Sequence, residues 1–159
     1  MHRSPLRLGF LLIPLVLGCF ALSPTARAVV PAPDGGYPNG NTAEGDSALF
    51  NLTNGVGNTA IGLQALFSNT NGNENTANGV DALFENITGA QNTATGVQAL
   101  EFNTAGQNNT GTSVAALFHS EEGSFNTANG VKALFNTTGA RAFAQVRFGF
   151  WIQAAAPSV

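Results

Sequence analysis

One string recurs through most of the chain at a fixed interval. Copies of N-T-A-x-G-x-x-A-L-F-x-x-x-x-G-x-x start at Asn41, Asn58, Asn75, Asn92, Asn109 and Asn126, each 17 residues after the last. A short, constant period of this kind implies stacked units that contact only their neighbours, the signature of a solenoid. The other features are read against that period.

Asn and Thr at positions 1 and 2 are invariant. Stacking would place Asn41, Asn58, Asn75, Asn92, Asn109 and Asn126 above one another, and likewise Thr42, Thr59, Thr76, Thr93, Thr110 and Thr127. At a strand spacing of ~4.8 Å, Asn amides bond up the stack and Thr suits a pleated surface. Both ladders are therefore expected to be structural. Position 3 is Ala except Gly111, and position 5 is Gly except Ser113. A small residue followed by Gly predicts a tight corner or a close backbone approach.

Position 6 is Leu or Val after Asp46 in the first copy, and positions 8 and 9 are always Ala and Leu. Position 10 is Phe except in the fourth copy, where Glu101 stands there and Phe102 follows. Positions 11 to 17 are rich in Asn, Thr, Gly and Gln and read as a polar return loop. Each copy thus predicts two short strands, at positions 1–4 and 6–10, joined by a Gly corner. A helix is a poor alternative, because Gly, Asn and Thr are too many and no ten-residue run with 3.6 periodicity lies between the glycines.

Ala-Leu-Phe breaks the alternation expected of a strand, whose neighbours point to opposite faces. On that reading one face fills the lumen of the coil and the other needs a second surface, a neighbouring subunit. The expected core and subunit interface comprises Leu49, Phe50, Leu66, Phe67, Leu83, Phe84, Leu100, Leu117, Phe118, Leu134 and Phe135. The alternative is that Leu enters the lumen and Phe only shields a loop.

The first 28 residues hold Arg3 and Arg7, an apolar run from Leu8 to Leu22, and the small-x-small end Ala26-Arg27-Ala28. These are the parts of a secretory signal peptide. The run contains Pro14 and is short for a membrane span of ~20 residues, so an uncleaved anchor is the lesser reading. Val16-Leu17-Gly18-Cys19 resembles a lipobox, and cleavage there would leave Cys19 as a lipidated anchor. Either way the chain is expected to leave the cytoplasm, as a secreted or surface protein of a bacterium. Residues 29–40 carry Pro31, Pro33, Pro38, Gly35, Gly36 and Gly40 and read as a linker, with Tyr37 a lesser candidate to cover the first coil. The repeat domain spans 41–141. Residues 142–159 lack a seventh NTA, and alternate Phe148, Phe150 and Ile152 with Gly149 and Trp151. They read as a capping strand or as a tail foreign to the repeat.

Composition narrows the chemistry. Net charge is −3, and removal of the leader leaves three basic residues against nine acidic. Without a basic stripe, nucleic acid is not an expected partner. The single Cys lies in the leader, so the remainder has no disulfide. His119, beside Ser120, Glu121 and Glu122, makes neither a triad nor a metal-ligand spacing and reads as a solvated loop. No phosphate-binding, dinucleotide-binding or nucleophile-elbow motif is present. No catalytic residue, cofactor or metal is expected.

The tandem NTAxGxxALF copies, residues 41 to about 141, resemble the head repeats of trimeric autotransporter adhesins, the YadA-like head, and related repeats of phage tail fibres. The resemblance implies a left-handed parallel β-roll, a homotrimer, and a surface-exposed head that binds host matrix, glycan or other surfaces. It carries over no catalytic residue. The repeat is longer than the usual head repeat, and neither a heptad stalk nor a run of barrel strands follows it. The expected fold is an all-β parallel β-solenoid of about six 17-residue coils. The expected function is non-enzymatic surface binding. Alternatives are a structural spacer with no ligand, or a solenoid whose Thr ladder binds ice or a glycan. The last requires that ladder to face solvent.

Overall fold

The computed structural model describes residues 37–137 and 139–145. Seven three-residue strands form one parallel sheet in chain order: β1 Thr42–Glu44, β2 Thr59–Ile61, β3 Thr76–Asn78, β4 Thr93–Thr95, β5 Thr110–Thr112, β6 Thr127–Asn129 and β7 Phe143–Gln145. Each rung pairs with the same position of the next coil, as in Thr59↔Thr76 and Ala60↔Ala77. The expected β-solenoid and its 17-residue pitch are therefore present. Within each strand, positions 2 and 4 point outward and position 3 is buried. Ala is the only side-chain size used there besides Gly111, so that wall of the lumen lies close to the facing chain.

The second predicted strand is absent. Positions 6–10 form turns, and positions 7 and 9 adopt positive φ in every copy. Gln64 and Leu66 have φ of 56° and 52°, and Asp81 and Leu83 have 55° and 52°. The opposite-face rule holds only for extended backbone, so it fails here. Ala82 and Leu83 both enter the lumen, as do their counterparts in the other coils, while Phe stands outside. On a backbone that is not extended, three consecutive apolar residues do not by themselves call for a second chain. The left-handed conformation costs non-glycine residues about 1–2 kcal/mol each. Full burial of each Leu and regular inter-coil hydrogen bonds offset it: Leu66 N–H donates to Ala82 O at 3.0 Å, and Asp81 N–H to Leu63 O at 3.0 Å.

The Gly corner is as expected. Gly62 and Gly79 have φ of 126° and 146°, and a Cβ on either would lie 2.5–2.6 Å from the carbonyl oxygen of the next coil's Gly. Ser113 holds the same corner at φ 102°.

The lumen holds both apolar and polar side chains. Ala and Leu at positions 3, 8 and 9 make one continuous core. The position 1 Asn residues, two before position 3, are fully buried as well. Asn75 N–H and Nδ2 both donate to Asn58 Oδ1, at 3.0 and 3.1 Å, and Nδ2 also donates to Gly89 O at 2.8 Å. The ladder thus bonds backbone as well as amides. A second buried ladder, Asn69, Asn86 and Asn103, runs inside what the sequence presents as the polar return loop. Asn86 Nδ2 donates to Asn69 Oδ1 at 2.8 Å and to Gly89 O at 3.0 Å.

The ends also differ from expectation. Tyr37 is not part of a solvated linker; it packs against the core, and its N–H donates to Asn41 O at 2.9 Å. After Arg141 the chain begins a seventh coil without the NTA motif. Ala142 N–H takes the Asn126 Oδ1 acceptor at 2.7 Å, and Ala144 enters the lumen in register with Ala128. The sheet therefore runs beyond the expected boundary at 141. The strand expected at 148–152, the leader and Cys19 lie outside the described residues.

Candidate functional site

Two outer surfaces come from the repeat. The first is the open face of the sheet. Thr42, Thr76, Thr93 and Thr110 are exposed and Thr59 and Thr127 half-buried, all in consecutive register. The ladder is therefore not hidden in the coil. None of its hydroxyls bonds to a protein group among the described residues, whereas the loop residues Thr53, Thr70 and Thr104 donate theirs to the carbonyls of Thr70, Ile87 and Glu121 at 2.8–3.1 Å. Beside the ladder runs the position 4 column: Glu44, Ile61, Asn78, Thr95, Thr112 and Asn129.

The second surface is an apolar stripe. Position 6 supplies Leu63, Val80, Val97, Val114 and Val131, all more than a third exposed. Position 10 supplies a Phe ladder. Phe50, Phe67 and Phe84 stack at centroid distances of 5.4 and 5.1 Å with nearly parallel rings, as do Phe118 and Phe135 at 4.8 Å. The rings thus cover one another's faces and present edges outward. Phe50 is 68% exposed, and the others are half-buried. The expected site list therefore divides, with every Leu in the lumen and every Phe on the outside.

Glu101 interrupts the Phe ladder between Phe84 and Phe118. Burial pushes its carboxyl above the ordinary glutamate range; the Asp81 charge raises it further, a hydrogen bond with the Gln98 side chain lowers it, and Glu85 adds a smaller rise. Its Oε2 is buried without a partner. Phe102 is displaced by one position and stacks on His119 at 5.0 Å, and His119 meets Phe118 edge-on at 4.6 Å. His119 is thus a member of the aromatic cluster as well as of an exposed loop. A cavity of about 360 Å³ beside it is lined by His119, Glu121, Glu122 and Asn136. Among the described residues no three His, Cys, Asp or Glu side chains are grouped to hold a metal, and no helix is long and apolar enough to cross a membrane.

Comparison with protein-family models, with curated proteins and with solved structures returned no match.

The sequence reading missed the second Asn ladder. A signal for it existed: position 12 is Asn69, Asn86 and Asn103 in three consecutive copies, three residues before the position 15 Gly. What the period could not show is that those amides turn inward.

Proposed function

We propose that this chain is a non-enzymatic, adhesin-like solenoid, secreted or surface-exposed, that binds an extended surface through its stacked outer faces. The observation that carries the reading is the uncovered Thr ladder. Six identical side chains stand in register on one sheet, and their hydroxyls make no bond to a protein group among the described residues. A spacer with no ligand needs the lumen but has no use for such an array. Regular, rigidly held groups gain by acting together on a repetitive ligand, since each further contact is intramolecular.

The leader supports export, and the resemblance to adhesin heads supports a surface ligand such as a matrix protein or glycan. The same resemblance supports a homotrimer, in which the Val and Phe stripes would lie between chains. That part of the reading rests on exposed apolar area and no longer on the Ala-Leu-Phe pattern.

The test is binding of the purified chain to immobilised matrix proteins, glycans and insoluble polysaccharides, with light scattering for its mass. Saturable binding that falls when Thr76 is replaced by Lys supports the reading. Absence of binding to every surface favours the spacer, and a monomeric mass removes the trimer.

A further inference from the structure

We propose that the threonine face binds ice, with the outward column of Thr59, Thr76, Thr93, Thr110 and Thr127 docking on crystalline water. The inference rests on the surface-binding reading above and names its ligand.

The array is periodic and stiff. Its rungs repeat at the interstrand spacing of ~4.8 Å, and their alignment is set residue for residue by the parallel register. The buried Asn ladder ties the residue just before each strand to the neighbouring coil, as in Asn92 N–H to Asn75 Oδ1 at 3.0 Å. Thr is β-branched and restricted at χ1. Little freedom remains to be lost on docking, which is where an array of weak contacts otherwise loses its affinity.

The chemistry at each rung is a hydroxyl beside a methyl. Among the described residues the hydroxyls are unspent, in contrast to those of Thr53, Thr70 and Thr104, which are used between coils. Each can hold a water, while the methyl occupies a gap between waters.

The face is also neutral. In coils two to six, positions 2 and 4 are Thr59 and Ile61, Thr76 and Asn78, Thr93 and Thr95, Thr110 and Thr112, and Thr127 and Asn129. A charge would orient water around itself; a neutral lattice calls for a face without one. Glu44 breaks the rule beside Thr42 at one end, and Phe143 replaces Thr at the other. The same ten positions contain no aromatic ring to stack on a sugar, and the Phe rings of position 10 cover one another. That favours ice over a glycan.

The experiment measures ice-recrystallisation inhibition by the full chain, by the T93K/T110K variant and by an Ile87→Lys control on the loop, where the residue is exposed. The expected result is inhibition by the parent and the control. The double variant should need about tenfold more protein or more for the same effect, with an unchanged sheet signal in circular dichroism. Should the double variant lose that signal, Thr76→Lys alone carries the same comparison. Ice that coarsens in the parent as in buffer, or a double variant as active as the parent, overturns the proposal. A parallel pull-down on crystalline cellulose and chitin separates the two readings. Capture lost in the double variant, with no effect on ice, overturns the ice ligand and leaves surface binding standing; failure of both arms sinks both.

Discussion

Asn75 hangs from Asn58 by two hydrogen bonds to a single oxygen. Its N–H and its Nδ2 donate to Asn58 Oδ1 at 3.0 and 3.1 Å, and Nδ2 reaches Gly89 O at 2.8 Å. The acceptor on Asn75 in turn holds the N–H of Asn92 at 3.0 Å. One side chain therefore bonds the backbone of two coils, sharing Gly89 O with Asn86 Nδ2 at 3.0 Å.

Replacing Asn75 by Ala should accordingly cost far more than one hydrogen bond. It strands the Asn92 N–H and weakens the satisfaction of Gly89 O, at about 1–3 kcal/mol for each buried group left unmade. A loss of about 3 kcal/mol in urea unfolding is expected, with Thr76→Ala on the outer face within ~0.5 kcal/mol of the parent. Equal losses in the two would show that the Asn ladder is not a main support of the coil.

The Gly corner predicts opposite signs at two equivalent positions. Gly79→Ala puts a Cβ 2.5 Å from Gly96 O at φ 146°, and should destabilise by about 3 kcal/mol or prevent folding. Ser113→Gly relieves a side chain held at φ 102° and should stabilise by about 1 kcal/mol after the entropy cost of Gly. Thermal melts of the two variants decide it, and a Ser113→Gly variant that melts lower than the parent would contradict the strain.

Ser120 stands where the second ladder has Asn, and its Oγ is buried with no partner. Asn at 120 should recreate the bonds that Asn86 makes to Asn69 Oδ1 and Gly89 O, here to Asn103 Oδ1 and Gly123 O. A gain of about 1 kcal/mol in unfolding free energy is expected. A loss would mean that the coil cannot open enough at this rung.

Leu83 and Phe84 are sequence neighbours with different surroundings. Leu83→Ala should cost about 2–5 kcal/mol by leaving a cavity in the lumen. Phe84→Ala removes a half-buried ring from the outer stack and should cost about 1 kcal/mol in a single chain. If Phe84→Ala also lowers the mass measured by light scattering, the stripe is a subunit interface; an unchanged mass assigns the Phe ladder to the single coil.

Glu101 should make stability depend on pH in the direction opposite to an ion-paired carboxylate. Its pKa is raised in the fold above the ordinary 4.5, chiefly by burial. The folded state then binds more protons than the unfolded state between the ordinary and the raised values. The stabilising contribution is complete below the ordinary value and is lost as pH rises through the raised one. Urea midpoints should show this fall over that window, and Glu101→Gln should flatten it. A fall of the same size in the Gln variant would place its origin elsewhere.

The period alone determined a good deal. Identical residues every 17 positions can bury an apolar face only by stacking, so the parallel register and the Asn and Thr ladders follow from the spelling. The Gly at position 5 announced its corner, because a side chain at that φ beside a carbonyl is strained, and only Ser113 carries one there. What the period left open is the conformation between the corners. Gln64 and Leu66 carry no local preference for the left-handed region; they adopt it because bonds to the coils on either side and full burial of Leu66 offset the strain. That choice sends Ala and Leu to one side and Phe to the other. The Asn69, Asn86 and Asn103 amides turn inward beyond it, while the Thr side chains face outward by the alternation of the strands. A repeat states which residues meet their copies, but backbone strain balanced against inter-coil hydrogen bonds decides which way they face.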